Sequence, residues 1–227
     1  LEKTAVIVAG GSGSRMNSPV PKQFLSIAGL PVLMHSIRAF QLAEPGIKII
    51  VALPPESYRQ WQDLCLSHVF RIPHQLSPGG PTRYDSVKNA LSFVPAEGLV
   101  AIHDAVRPLA SKELIQTAFR EAEVHGSAIP CVPVRDSVRI LEGENSSILD
   151  RNLLRIIQTP QAFRASLILR AYAGTASGTF TDDAGVAEQA GSTVHLIEGD
   201  PDNIKITYPA DLVIAEAILS GRKPTPR

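Results

Sequence analysis

The sequence predicts a doubly wound α/β fold on a mostly parallel sheet, and three observations carry that prediction. Residues 4–9, 47–53 and 99–103 are short runs rich in β-branched and apolar residues, as strands buried on both faces are. Segments with helical spacing, at 32–42, 56–66, 84–93 and 112–124, lie between or after them. Strand and helix alternate, which is the pattern of βαβ units.

The first strand ends in glycines. Pro54 and Pro55 close the second, because proline lacks the N–H a ladder needs. Ser111 stands as N-cap for the helix after the third. Residues 127–134 read as a further strand, and then the pattern changes. Alternating residues flank a turn-forming stretch at 142–147, which predicts a hairpin arm within 135–158. The arm offers too little apolar surface for a core of its own, so it is expected to pack on another subunit. A helix at 182–190, a strand at 193–197 and an amphipathic closing helix at 209–219 complete the chain, with a frayed tail at 220–227. The whole is read as one domain, 1–227.

Composition narrows the partners. The 227 residues carry 22 Lys plus Arg against 22 Asp plus Glu, a formal net charge of zero. Proteins that coat nucleic acid or membrane surfaces usually show a basic excess, so a small-molecule partner is expected. Two cysteines, Cys65 and Cys131, are too few for a disulfide framework and are expected as buried thiols in a reducing compartment. With no bilayer-length apolar run and no apolar signal region in residues 1–15, cytoplasmic residence is the expectation.

The strongest local signal is the loop behind the first strand. Ala9, Gly10, Gly11, Ser12 and Gly13 form a glycine-rich turn whose backbone N–H groups can converge on anionic oxygens, followed by Arg15 and Lys22. Between Glu2 and Glu44 there is no acidic residue at all, so a phosphate is favoured there. The loop fails the Walker A pattern. It also fails the dinucleotide fingerprint, because Met16 stands where the third glycine belongs and no acid follows to hold a ribose.

Three other clusters carry chemistry. In HDAVRP, residues 103–108, Asp104 lies at the carboxyl end of a buried strand, where it could carry a Mg²⁺ or simply pair with Arg107. His103 reads as a packed histidine. In GDPDNIKIT, residues 199–207, Lys205 sits in an expected short strand facing away from Ile204 and Ile206. It is an ordinary surface lysine unless it faces a phosphate site, and Asp202 is a weaker second metal contact. GGPTRYDS, residues 79–86, is a second glycine loop in which Gly80 and Ser86 could meet a base edge, or merely connect strand to helix.

Together with PVRDSVR, DRNLL, QTPQAF and TDDA, these motifs in this order closely resemble the 2-C-methyl-D-erythritol 4-phosphate cytidylyltransferase family over essentially the whole chain. The resemblance implies a Rossmann-like nucleotidyltransferase sheet with a protruding dimerisation arm. It implies transfer of CMP from CTP to a sugar-alcohol phosphate with release of pyrophosphate, assisted by Mg²⁺ or another divalent cation. It assigns Arg15, Lys22 and Lys205 to catalysis, and Asp104 to the metal. The glycine loops with Ser86 would hold the nucleotide. Arg107, Ser137, Arg151, Thr159 and Thr181 would hold the acceptor, Ser137 and Arg151 reaching over from a second subunit of a homodimer.

A phosphate monoester is already an anionic nucleophile at neutral pH, which accounts for the lack of any Ser-His-Asp or Cys-His set. Two positions depart from the family pattern: Pro81 replaces an acidic or polar residue near the base, and Ser137 stands where Thr is frequent. A ribitol 5-phosphate cytidylyltransferase is the nearest rival, and a catalytically silent nucleotide-binding domain is a rival of another class.

Overall fold

The computed structural model describes residues 1–11, 16, 18–175 and 180–222. Its first half runs β1 (Lys3–Val8), β2 (Ser26–Ile27), β3 (Leu30–Pro31), α1 (Val32–Ala43), β4 (Lys48–Leu53), α2 (Tyr58–Ser67), β5 (Gln75–Pro78), α3 (Arg83–Leu91), β6 (Leu99–Asp104) and α4 (Lys112–His125). The second half runs β7 (Ser127–Pro133), β8 (Val138–Glu142), β9 (Asn145–Leu149), β10 (Arg155–Ile157), β11 (Gln161–Arg164), α5 (Ala165–Gly174), α6 (Asp183–Gln189), β12 (Leu196–Glu198) and α7 (Pro209–Gly221).

One central sheet organises these elements. β5, β4, β1 and β6 are adjacent and parallel, and β11 inserts antiparallel between β6 and β7. β12 joins β7 in parallel and β10 joins it antiparallel, so the sheet is mixed but mostly parallel, as expected. Because side chains alternate across a strand, β1 sends Ala5 and Ile7 to one face and Val6 to the other. The first face packs on Leu33, Ile37 and Phe40 of α1, Trp61 of α2 and Phe119 of α4. The second packs on Tyr84 and Val87 of α3 and Ile168 of α5. Helices cover both faces, which is what a sheet of uniformly apolar strands requires.

The chain runs outward from β1 to β4 and β5 on one side, then crosses to β6 on the other. Val8 and Asp104 are register partners, so the strand order reverses beside the carboxyl ends of β1 and β6. Doubly wound sheets open a crevice at such a point. The capping expectations hold: the Ser111 hydroxyl accepts from the Leu114 N–H at 3.2 Å, and Gly126 ends α4 with φ +88°.

Several elements differ from expectation. The arm is a hairpin of β8 and β9 with a two-residue turn at Gly143 and Glu144, tighter than the stretch expected, and Gly143 takes φ +65° as such turns demand. Residues 203–207 form no strand; they are held by single contacts such as the Ile206 N–H to the Val106 carbonyl at 2.8 Å. The strand expected at 193–197 shortens to β12. Closing helix α7 buries only Ala215 fully and leaves Val213 70% exposed, so its apolar residues are not confined to one stripe. Cys65 and Cys131 are free but half-buried rather than buried. The tail beyond Arg222 lies outside the described residues.

Candidate active site

The crevice at the carboxyl ends of the parallel strands contains two adjoining cavities. The first, about 350 Å³, is lined by the Ala9–Gly11 turn, Lys22, the Gly80–Arg83 loop, Ser86, Asp104 and Lys205. The second, about 220 Å³, is lined by Arg107, Thr159, Gln161, Thr181 and Asp182. Arg83, Asp104 and Lys205 line both. These three side chains form the wall where the cavities meet.

Local structure places each one. Lys22 follows Pro21 in a 3-10 turn, Lys22–Phe24, whose next two residues are buried. Gln23 donates to the Ala9 carbonyl at 2.8 Å and Phe24 stacks on Trp61, so the turn is fixed and the lysine is left on the cleft side. Its Nζ donates to the Ile206 carbonyl at 3.2 Å, tying the start of the chain to the segment that carries Lys205. Lys205 itself is oriented by its neighbours, since Ile204 and Ile206 enter a small cluster with Val106 and Leu109. Its Nζ lies 2.8 Å from Asp104 Oδ2. The surface-lysine reading is therefore corrected.

Asp104 ends β6 and is surrounded by cations. Arg83 Nε lies 3.3 Å from Oδ1, and Arg107 Nε lies 3.6 Å from Oδ2 on the side that Lys205 also reaches. Burial alone would raise this carboxyl, but Arg83, then Lys205 and Arg107, outweigh it and hold Asp104 well below the usual carboxylate range. It stays ionised at any ordinary pH.

Behind Asp104 a chain of hydrogen bonds fixes the floor. The Asp104 N–H donates to Thr159 Oγ1 at 3.0 Å, and that hydroxyl donates to His103 Nδ1 at 3.1 Å. His103 Nε2 then donates to the Arg107 carbonyl at 2.9 Å, a tautomer that leaves the ring neutral. Burial pushes its pKa down to about 4, in keeping with that role. His103 is packed, as expected. Asn203 completes the floor: its side chain donates to the Thr159 carbonyl, and its own carbonyl accepts from Arg107 Nη1, each at 2.8 Å.

The Gly80 loop is locked by Ser86, whose Oγ accepts from the Gly80 N–H at 2.9 Å and donates to the Thr82 carbonyl at 3.0 Å. A Cβ on Gly80 would overlap the side chain and backbone of Asp85, so the loop can lie this close to α3 only with glycine. Thr82 and Asp85 form a capping box at the start of α3, which fixes the direction in which Arg83 leaves the helix.

A family model described as 2-C-methyl-D-erythritol 4-phosphate cytidylyltransferase matches residues 3–221. The chain belongs to that family. A relative of that name from Bacteroides fragilis is 48% identical over 217 residues, spanning 96% of this chain and 99% of the relative. One from Bacteroides thetaiotaomicron is 44% identical over 219 residues, spanning 96% of this chain and 100% of the relative. The structure is similar to the crystal structure of the 2-C-methyl-D-erythritol 4-phosphate cytidylyltransferase from Thermus thermophilus, with TM-score 0.77, 31% identity and coverage of 97% and 100% of the two chains. It is also similar to the 4-diphosphocytidyl-2C-methyl-D-erythritol synthase of Anaerococcus prevotii, with TM-score 0.82, 26% identity and coverage of 96% and 98%.

Within this cytidylyltransferase most of the expected site residues converge on the crevice. Ala9, Gly10, Gly11, Lys22, Gly80, Ser86, Asp104 and Lys205 line the first cavity, and Arg107, Thr159 and Thr181 the second. Ser12, Gly13 and Arg15 lie outside the described residues. Ser137 and Arg151 are exposed at the base of the hairpin and line neither cavity. Asp202 is exposed and lines neither. Thr159 is almost wholly buried, with its hydroxyl already engaged by Asp104 and His103.

One residue lining the cytidylyltransferase cleft, Arg83, and its buried partner Asp183 were missed from the sequence. Arg83 makes a two-point ion pair with Asp183, Nη1 to Oδ1 at 3.0 Å and Nη2 to Oδ2 at 2.7 Å, while touching Asp104. Asp183 is fully buried at the start of α6, where Tyr172 donates to it at 2.7 Å and Gln161 Oε1 accepts its N–H at 3.0 Å. Both lie in motifs singled out for the family, GGPTRYDS and TDDA. Opposite charges in two glycine- or aspartate-rich loops were the available signal.

Proposed function

We propose that this chain transfers CMP from CTP to 2-C-methyl-D-erythritol 4-phosphate, giving 4-diphosphocytidyl-2-C-methyl-D-erythritol and pyrophosphate. Family membership over nearly the whole chain supports this reaction. The observation that carries it structurally is the junction of two cavities at Asp104 and Lys205, one beside the glycine loops and one beside Arg107. The nucleotide occupies the first and the acceptor phosphate the second.

An acceptor phosphate oxygen attacks the α-phosphorus; the bond to the bridging oxygen breaks and pyrophosphate leaves with both electrons. A monoester with a second pKa of about 6 is largely dianionic at neutral pH and needs no base. The chain therefore contributes position and charge. Lys22 and Arg15 meet the triphosphate, Lys205 meets the α-phosphate and the incoming oxygen, and Arg107 anchors the acceptor phosphate.

Mg²⁺ suits the donor set. Asp104 is the carboxylate common to both cavities among the described residues, and Mg²⁺ usually takes one or two carboxylates plus phosphate oxygens. Asp104 would hold it, with Lys205, the most exposed of its three cationic partners, turning to the phosphates. When bound, such a cation neutralises charge on the triphosphate.

The hairpin supplies the rest of the site in a homodimer. Leu141 is 80% exposed and Ile148 77%, and the hairpin register puts both on one face that a second copy would cover. That contact would carry Ser137 and Arg151 to the partner's acceptor cavity. No helix among the described residues is long and apolar enough to cross a membrane, and two free thiols fit the cytoplasm.

The test is pyrophosphate release from CTP and Mg²⁺ with each candidate acceptor. Rapid turnover with 2-C-methyl-D-erythritol 4-phosphate is expected. Faster turnover of ribitol 5-phosphate, or CTP binding without turnover, overturns the assignment.

A further inference from the structure

At the end of the sheet opposite the crevice, Glu121, His125 and His195 bring three ligating atoms within 4.8 Å of one another. Glu121 and His125 lie one turn apart on α4, so both project from the same side of the helix. His195 comes from the segment just before β12. Its backbone is anchored at both ends to β7, its N–H donating to Ser127 Oγ at 3.1 Å and its carbonyl accepting from the Ile129 N–H at 2.8 Å. Gly126 ends α4 directly at the same strand. The three side chains are thus presented by rigid, mutually bonded backbone.

Their arrangement is that of a chelating set. Glu121 directs one and the same oxygen, Oε2, at both imidazoles, 3.5 Å from His125 Nε2 and 4.0 Å from His195 Nε2. Its other oxygen is occupied by Arg120 Nε at 3.2 Å. The two rings stack with centroids 3.9 Å apart and planes 20° from parallel. Zinc binds histidine nitrogen and carboxylate oxygen at about 2.0–2.1 Å in a tetrahedron, which sets its ligand atoms roughly 3.4 Å apart. Each imidazole lone pair lies in its ring plane, so coordination requires the two rings to turn out of their stack until the nitrogens converge on one ion, a movement their exposed positions permit. The side chains are 27–42% exposed, so water can take the fourth position.

We infer that Glu121, His125 and His195 form a binding site for a zinc-class divalent metal ion, separate from the catalytic crevice. Two neutral imidazoles and one carboxylate suit a borderline ion such as Zn²⁺ rather than Mg²⁺, which prefers oxygen alone. Separation follows from topology: Ser127 and Val100 both pair with Phe163, at the amino end of β6, while Asp104 is at its carboxyl end. A bound ion would fasten the end of α4 to the segment entering β12. α4 begins just after the Asp104 loop, and β12 leads into the residues that carry Lys205, so the ion would tie together two elements that feed the crevice.

The test uses the full chain freed of metal by chelation, titrated with Zn²⁺ against a chromophoric chelator. One ion per chain is expected, with affinity lowered at least about tenfold in His125→Ala, His195→Ala and Glu121→Gln, since even outer contacts to a metal cost that much. Asp104→Asn should leave this ion in place. Co²⁺ should give the visible absorption of a four-coordinate site in the parent and not in His195→Ala. Zn²⁺ should raise the melting temperature of the parent alone, while the metal-free variants melt with it. Failure to take up Zn²⁺ at micromolar concentration overturns the proposal, as does equal uptake by the His125→Ala/His195→Ala double variant.

Discussion

Arg83 and Asp183, 100 residues apart in sequence, face each other in a two-point ion pair, and the same guanidinium touches Asp104 through Nε. Arg83 therefore links the start of α6 to the carboxylate at the junction of the two cavities. Its planar fork reaches Asp104 through Nε and Asp183 through both Nη atoms, where a lysine offers donors from a single nitrogen. Arg83→Ala strands a buried carboxylate at Asp183 and should lower the unfolding free energy by about 3 kcal/mol. Arg83→Lys should recover part of the stability but little of the turnover, because one ammonium cannot hold both acids. Urea unfolding and pyrophosphate release, measured on both variants, check this.

Lys205→Ala and Lys22→Ala should each reduce kcat roughly 10²–10³-fold, as loss of a charge that stabilises the transition state does. Lys205 is 42% exposed in its side chain, so its removal should leave the melting temperature nearly unchanged. A large loss of stability in Lys205→Ala would assign it to the framework instead.

Gly80→Ala should be more damaging than its size suggests. The added methyl meets both the side chain and backbone of Asp85, so either the loop lifts or the capping box of α3 opens. A destabilisation of about 1–3 kcal/mol is expected, together with weaker CTP binding. Denaturant unfolding and nucleotide titration should move together.

His103 sets a pH dependence of stability. Its pKa, about 6.5 in an unfolded chain, is pushed down by burial to about 4. Between those values the unfolded state binds more protons, so stability rises with pH through that window and is flat above it. The full contribution is about 3 kcal/mol. His35, also lowered by burial, adds in the same direction. Asp104 adds little to this window, because its ordinary unfolded value of 3.8 and its lowered folded value both lie below it. Unfolding free energies at pH 4.5, 5.5 and 7 should show the rise in the parent and a shallower one in His103→Gln.

If the hairpin joins two copies as proposed, the parent should sediment as a dimer and Leu141→Asp as a monomer, and turnover should fall with it. A monomer that retains full turnover would remove Arg151 from the site.

Much of this was legible in the sequence. Strands β1, β4 and β6 were visible because burial on both faces demands unbroken apolar runs, and Ser111 and the double proline at 54–55 marked boundaries by local chemistry alone. β11 was not visible, since a four-residue strand inserted between β6 and β7 is specified by its neighbours rather than by its own pattern. For the same kind of reason the local pattern around Lys205 left a surface and a site position both open, and only the family resemblance pointed it to the site. Its direction depends on where Ile204 and Ile206 find a cluster to enter, which no local period states.

The sequence by itself determined the layered α/β architecture, the glycine-rich turn behind the first strand and the family, because those depend on residue type and short spacing. Only the tertiary structure decided that Asp104 sits among three cations, that Arg83 and Asp183 brace it, and that His195 meets Glu121 and His125. Such contacts form between residues tens of positions apart, and a charge has no partner until the sheet order brings one within a few ångströms.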